Sequence, residues 1–226
     1  MMEHKRLTLF AGHYGSGKTN IAVNYALALA REQKKVCIAD LDIVNPYFRT
    51  KDSAKVLEAA GIELISPQFA NSNVDLPALP AESYRLVRDK SIYGIMDIGG
   101  DDRGAYALGR FVPDIVAEND YRMAFVANCC RPLTRTPEDA LEIMREIEAA
   151  CGLKFTCIIN NSNLGELTDP QLLSDSVAYI KSLCKLSGLP LWLHTAERTV
   201  AEKLPPLDAP VLAMDLQEKY FALPTI

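Results

Sequence analysis

The sequence predicts a three-layer α/β fold, a mostly parallel sheet of about seven strands with helices on both faces. Three observations carry that expectation. Short apolar runs alternate with helical stretches along the chain, the pattern of parallel strands joined by crossover helices. The first apolar run leads straight into a glycine-rich loop and then a helix. At 226 residues, 49% hydrophobic and 23% charged, the chain has the length and composition to bury a sizeable core.

Residues 7–11 read as the first strand, followed by the glycine loop and an Ala/Leu/Val-rich helix over 18–32. Residues 35–41 form a second strand. A helix over 52–60 stops at Gly61, and 62–66 is a third strand. The proline-bearing stretch 67–80 is a loop leading to a helix over 81–89. Strands follow at 91–98 and 121–128. Pro137, with Thr136 as N-cap, starts a helix through Ala150. A sixth strand spans 155–160, a helix spans 170–186 and closes near Gly188, and 191–194 is a last short strand. Prolines 205, 206 and 210 lead to a terminal helix around 212–221. There is no internal repeat or linker, so residues 1–226 are expected to form one nucleotide-binding domain.

Composition narrows the function. The net charge of −5 argues against DNA or an anionic membrane as partner, since either needs a basic surface. No apolar run approaches a bilayer span, and the N-terminus lacks the pattern of a signal peptide, so the expected location is cytoplasmic. The six cysteines include no C-x-x-C pair and read as small hydrophobic residues, with the vicinal Cys129–Cys130 left open.

The strongest motif is G-H-Y-G-S-G-K-T at 12–19, which fits G-x-x-x-x-G-K-[S/T] between a strand and a helix. Gly12, Gly15 and Gly17 allow the backbone to turn its N–H groups toward phosphate oxygens, with His13, Tyr14, Ser16 and Asn20 completing the loop and its exit. Lys18 is placed to reach the β- and γ-phosphates, and the Thr19 hydroxyl to coordinate Mg²⁺. The apolar strand ending in Asp97 supplies a carboxylate for the metal. It opens D-I-G-G, in which the Gly100 N–H can sense a γ-phosphate. Asp40-Leu-Asp42 closes the second strand. Alternation points both carboxylates the same way at the carboxyl edge, to hold the magnesium shell and, for Asp42, to orient the attacking water.

In chain order, P-loop, D-x-D and D-x-G-G together, the chain resembles the MinD/ParA/CobQ group of P-loop ATPases over roughly residues 7–204. The resemblance implies a P-loop NTPase fold, ATP and Mg²⁺ as cofactors, catalytic Lys18 and Asp42, and metal ligation by Thr19, Asp40, Asp42 and Asp97. It departs at one place. The group carries lysine then glycine after the first P-loop glycine, where this chain has His13 and Tyr14, which leaves a homodimer open. Arg49, Arg103 and Arg131 are candidates for the missing charge. An asparagine at the end of the sixth strand touches the base in that group, which points to Asn160. The run N-N-S-N also mimics N-K-x-D, but Asn163 stands where guanine recognition needs a carboxylate, so ATP is expected over GTP. Residues 194–197 are placed to line the same pocket.

The leading reading is therefore an ATPase acting as a nucleotide-driven switch, in which the loops at 42–49 and 99–110 respond to the γ-phosphate. Its partner is an unidentified protein client or small-molecule substrate. The competing readings are a synthetase activating a small carboxylate, with 45–49 and 71–75 lining its cleft, and a nucleotide-sensing module without turnover.

Overall fold

The computed structural model describes residues 3–41, 50–66, 81–100 and 102–216. Asp42, Arg49, and the segments 45–49 and 71–75 expected to line a substrate cleft lie outside the described residues. The strands are β1 (Leu7–Ala11), β2 (Val36–Leu41), β3 (Glu63–Ile65), β4 (Tyr93–Ile98), β5 (Tyr121–Ala127), β6 (Cys157–Asn160), β7 (Leu191–Glu197) and β8 (Val211–Met214). They form one eight-stranded sheet in the order β3-β2-β4-β1-β5-β6-β7-β8, and every pairing is parallel.

The central strands are buried on both faces, which is why they read as continuous apolar runs rather than alternating ones. Alternation instead decides which layer each side chain joins. Leu7, Leu9 and Ala11 of β1 pack into one core, and Phe10 packs into the other. The Phe10 side is covered by α1 (Lys18–Arg31), through Ile21, Ala22, Tyr25 and Leu29, and by Leu57 of α2 (Ala54–Ala59). The opposite side is covered by α3 (Arg85–Arg88), α4 (Asp102–Gly109), α5 (Val112–Glu118), α6 (Pro137–Cys151) and α7 (Pro170–Ser187). A short α8 (Arg198–Ala201) follows β7 and packs on Leu173 and Ala196. Among the described residues no helix is long and apolar enough to cross a membrane.

Two expectations about elements need correction. Residues 211–214 are not the start of a terminal helix but strand β8, paired with β7 from His194↔Val211 to Glu197↔Met214. The open edge of β7 offers a ladder to a short apolar run, and the Pro210 carbonyl just before it already accepts from the His194 N–H at 2.8 Å. The glycine-rich stretch after Asp97 is not a loop through residue 110. It becomes α4 at Asp102, held to the core by Ala105 and Leu108, with Phe111 beyond its end. That three-residue apolar spacing is a helix signal that the surrounding glycines and aspartates obscure. Gly104 belongs there because a Cβ on it would stand 2.6 Å from the Gly99 Cα.

Candidate nucleotide-binding site

The loop between β1 and α1 emerges at the carboxyl edge of the sheet, between the ends of β4 and β5, because β1 pairs with both. Gly17 is the N-cap of α1 and has left-handed φ of 93°. This turn aims the first N–H groups of α1, with the positive end of its dipole, into the space above the sheet. Lys18 is buried and its Nζ donates to the His13 carbonyl at 3.1 Å, folding the side chain back over its own loop. The Ser16 hydroxyl is buried in the same loop and meets no partner among the described residues. An oxyanion is the ligand this cradle suits.

Asp40 and Asp97 are register partners on adjacent strands, and both are buried. Thr50 opens the 3-10 turn Thr50–Ser53, and its hydroxyl donates to Asp97 Oδ2 at 3.0 Å. Two carboxylates buried side by side at the edge next to a P-loop suit a divalent cation. Gly100, expected to sense a γ-phosphate, packs against the P-loop. A Cβ on it would stand 2.6 Å from the Tyr14 nitrogen and 3.0 Å from Lys18 Nζ, so this segment rests directly on the P-loop.

A cavity of about 630 Å³ runs from Tyr14, Gly15, Gly17, Lys18, Thr19 and Asn20 to the turn after β6 and the ends of β7 and β8. Its far wall is Asn161, Ser162, Asn163, Glu166, Thr195, Ala196, Glu197 and Met214. Asn160, expected to touch the base, is not in this wall. Its side chain is fully buried, donating to Ser176 Oγ at 2.8 Å and His194 Nδ1 at 3.0 Å and accepting from the Ser162 hydroxyl at 2.8 Å. A one-residue step along the chain exits the strand, so Asn161 faces the cavity instead. His194 likewise turns away, its Nε2 donating to Asp208 Oδ1 at 3.1 Å, while Thr195 and Glu197 take the places expected in the pocket.

Asn161 is the residue that sequence reasoning passed over. Its Nδ2 donates to the Ser16 carbonyl at 2.6 Å, and its Oδ1 accepts from the Thr195 hydroxyl. The P-loop is thereby tied to the β6 and β7 ends by one carboxamide. The only sequence signal was its place in N-N-S-N, which identifies a turn rather than a contact 145 residues away. Thr50 carried no signal at all.

His13 is a poor substitute for a fixed cation. Burial lowers its basicity, opposed by the hydrogen bond of Nδ1 with the Tyr14 carbonyl, and the charges of Lys18 and Arg131 lower it further. Arg131 does reach the loop. Arg103's side chain lies outside the description, and Arg49 outside the described residues.

Compared by sequence, the chain matches no protein-family model and no curated protein. By structure it is similar to the cell division protein FtsY of Thermotoga maritima, with a TM-score of 0.61 at 19% identity over 91% of this chain and 66% of that one. It is also similar to the signal recognition particle receptor FtsY of Elizabethkingia anophelis in complex with GDP. That match has a TM-score of 0.55 at 14% identity over 90% of this chain and 60% of the other. The 54 kDa signal recognition particle protein of Aeropyrum pernix, again with GDP, matches at a TM-score of 0.53 and 18% identity, over 82% of this chain and 40% of that one. The fold is that of the P-loop NTPases. The chain spans less than two thirds of the length of these proteins.

These matches overturn the expected place in the MinD/ParA/CobQ group, since the similar structures are two FtsY proteins and a 54 kDa signal recognition particle protein. The physical reason is that a P-loop, a D-x-D and a D-x-G-G at strand ends report phosphate and magnesium chemistry, which different lineages on one fold share.

Proposed function

We propose that this chain is a Mg²⁺-dependent nucleoside triphosphatase working as a nucleotide-driven switch, with ATP as its first substrate. The observation that carries the reading is the unbroken cavity between the phosphate loop and the asparagine turn, cationic at one end and neutral or acidic at the other. Its volume of about 630 Å³ is in the range of small-molecule sites. Thr19, Asp40 and Asp97, with Asp42 beyond the described residues, would hold the metal, which when bound neutralises charge on the phosphates. Lys18 binds the phosphates and Asp42 orients water. The contact of Gly100 with the Tyr14 backbone and Lys18 gives a direct route from a terminal phosphate to the segment leading into α4. A protein client that distinguishes the two states of that segment is the partner this arrangement serves.

The choice of ATP rests on Asn163. Its neutral carboxamide is occupied within the turn, donating to the Asn161 carbonyl at 2.8 Å and accepting from the Gly165 N–H at 3.3 Å. It therefore offers no fixed negative charge to the two donors of a guanine edge. A second reading, GTP, is favoured by the GDP held in two of the similar structures and by Glu166, whose carboxylate belongs to the same wall.

Steady-state phosphate release with Mg·ATP and with Mg·GTP, beside the Lys18→Ala variant, tests both. Turnover with ATP that disappears in the variant is the expected result. Turnover with GTP alone would move the assignment to the second reading. Phosphate release from neither triphosphate would refute the triphosphatase function.

A further inference from the structure

We infer that Arg131 supplies, from within the same chain, the second cation that the nucleotide phosphates meet beside Lys18. The inference rests on the nucleotide-site reading above and concerns one guanidinium. Arg131 stands immediately before the 3-10 turn Pro132–Thr134, just past β5. Because β5 is the neighbour of β1, sheet order alone brings this residue to the phosphate loop.

The contact is close. A Cβ on Gly15 would stand 3.5 Å from Arg131 Nε and 3.7 Å from its Cζ, so the guanidinium lies over the backbone of the loop. The side chain also lines the cavity, as Lys18 does. Its Nε is buried and has no acceptor among the described residues. A buried cationic N–H left without an acceptor is unfavourable, and a phosphate oxygen is the acceptor that relieves it. The planar fork of arginine matches a phosphate better than a lysine does.

The turn that presents Arg131 is held independently of its side chain. Asn128 is fully buried, and its carbonyl accepts from the Arg131 N–H at 3.1 Å and from the Thr134 hydroxyl at 2.7 Å. Its Oδ1 accepts from the Cys130 N–H at 3.0 Å. Truncating the guanidinium therefore leaves the turn in place. The function of the cation is separable from the stability of the fold.

The test is the affinity of Mg·ATP and Mg·GTP for the wild type, Arg131→Ala, Arg131→Lys and Lys18→Ala, with thermal unfolding of each as a check on folding. Loss of a charge-assisted bond weakens the better-bound triphosphate roughly ten- to hundred-fold in Arg131→Ala. Millimolar guanidinium ion should restore much of that affinity, and lysine at the position should retain part of it. Unchanged affinity in Arg131→Ala overturns the inference and leaves the nucleotide reading standing. So does a loss that neither guanidinium nor lysine relieves, because a side chain serving only as packing behaves that way. Failure of the wild type itself to bind either triphosphate would remove the site and this inference together.

Discussion

At position 17 the backbone turns with a φ of 93° into the first turn of α1, and a Cβ there would collide with Nδ2 of Asn161. Asn161 cannot yield cheaply, because the same nitrogen donates to the Ser16 carbonyl at 2.6 Å. Gly17→Ala therefore combines a left-handed φ with a displaced buried hydrogen bond, and should lower stability by about 2–4 kcal/mol. Chemical unfolding followed by the emission of Trp192, the one tryptophan of the chain, measures it. Triphosphate affinity should fall in the same variant, since the loop must move. A variant as stable as the parent would show that the loop relaxes around a side chain. The glycine was legible in the sequence as part of a phosphate motif. Its partner was not, because nothing local to residue 161 refers to residue 17. The thiol of Cys130 is likewise settled by its surroundings: burial, then the neighbouring Cys129, push it up to about 11, which makes it a poor nucleophile at neutral pH.

Elements were read best where they carry their own punctuation. Thr136 was expected to cap a helix beginning at Pro137, and its hydroxyl does accept from the Asp139 N–H at 3.1 Å. The Asp139 carboxylate accepts in return from the Thr136 N–H at 3.3 Å. Gly152 and Gly188 then end α6 and α7 in left-handed conformations. Thr136→Ala should reduce stability by about 1 kcal/mol, with nucleotide affinity unchanged, as a urea titration and a binding isotherm would show. A larger loss would mean that the cap also positions the Arg131 turn. Elements without such signals were misread. α4 and β8 are short, and each is selected by the surface it packs on rather than by local preference.

Across the whole molecule, Arg6 joins parts that the sequence keeps far apart. Its Nη1 donates to the Leu86 carbonyl at 2.9 Å and the Ile92 carbonyl at 3.2 Å, and its guanidinium pairs with Glu118 at the end of α5. Lys90 also donates to Glu118, at 2.6 Å. Burial pushes the Glu118 carboxyl up, but the hydrogen bonds and charges of Arg6 and Lys90 outweigh it and hold the group below its ordinary 4.5. With a folded value below the unfolded one, the unfolded chain takes the proton first. The stability this carboxylate contributes is thus complete above about pH 4.5 and is lost as pH falls through the folded value. Glu118→Gln should cost about 3 kcal/mol at pH 7, because it leaves a buried guanidinium without its charge. The difference from the parent should shrink toward pH 3, and unfolding curves at the two pH values would reveal it. An equal difference at both would mean that the carboxylate does not hold the fold through its charge.

The sequence by itself determined the α/β class, the phosphate loop, and the carboxylate at the end of β4, because these depend on local periodicity and on residues that act through their own backbone or position on a strand. Only the tertiary structure decided that all eight strands run parallel, that Asn161 rather than Asn160 faces the cavity, and that Arg131 lies over Gly15. Those facts depend on which strands become neighbours and on where each strand ends. A shift of one residue at a strand end exchanges a buried side chain for one in the pocket, and no local pattern records that exchange.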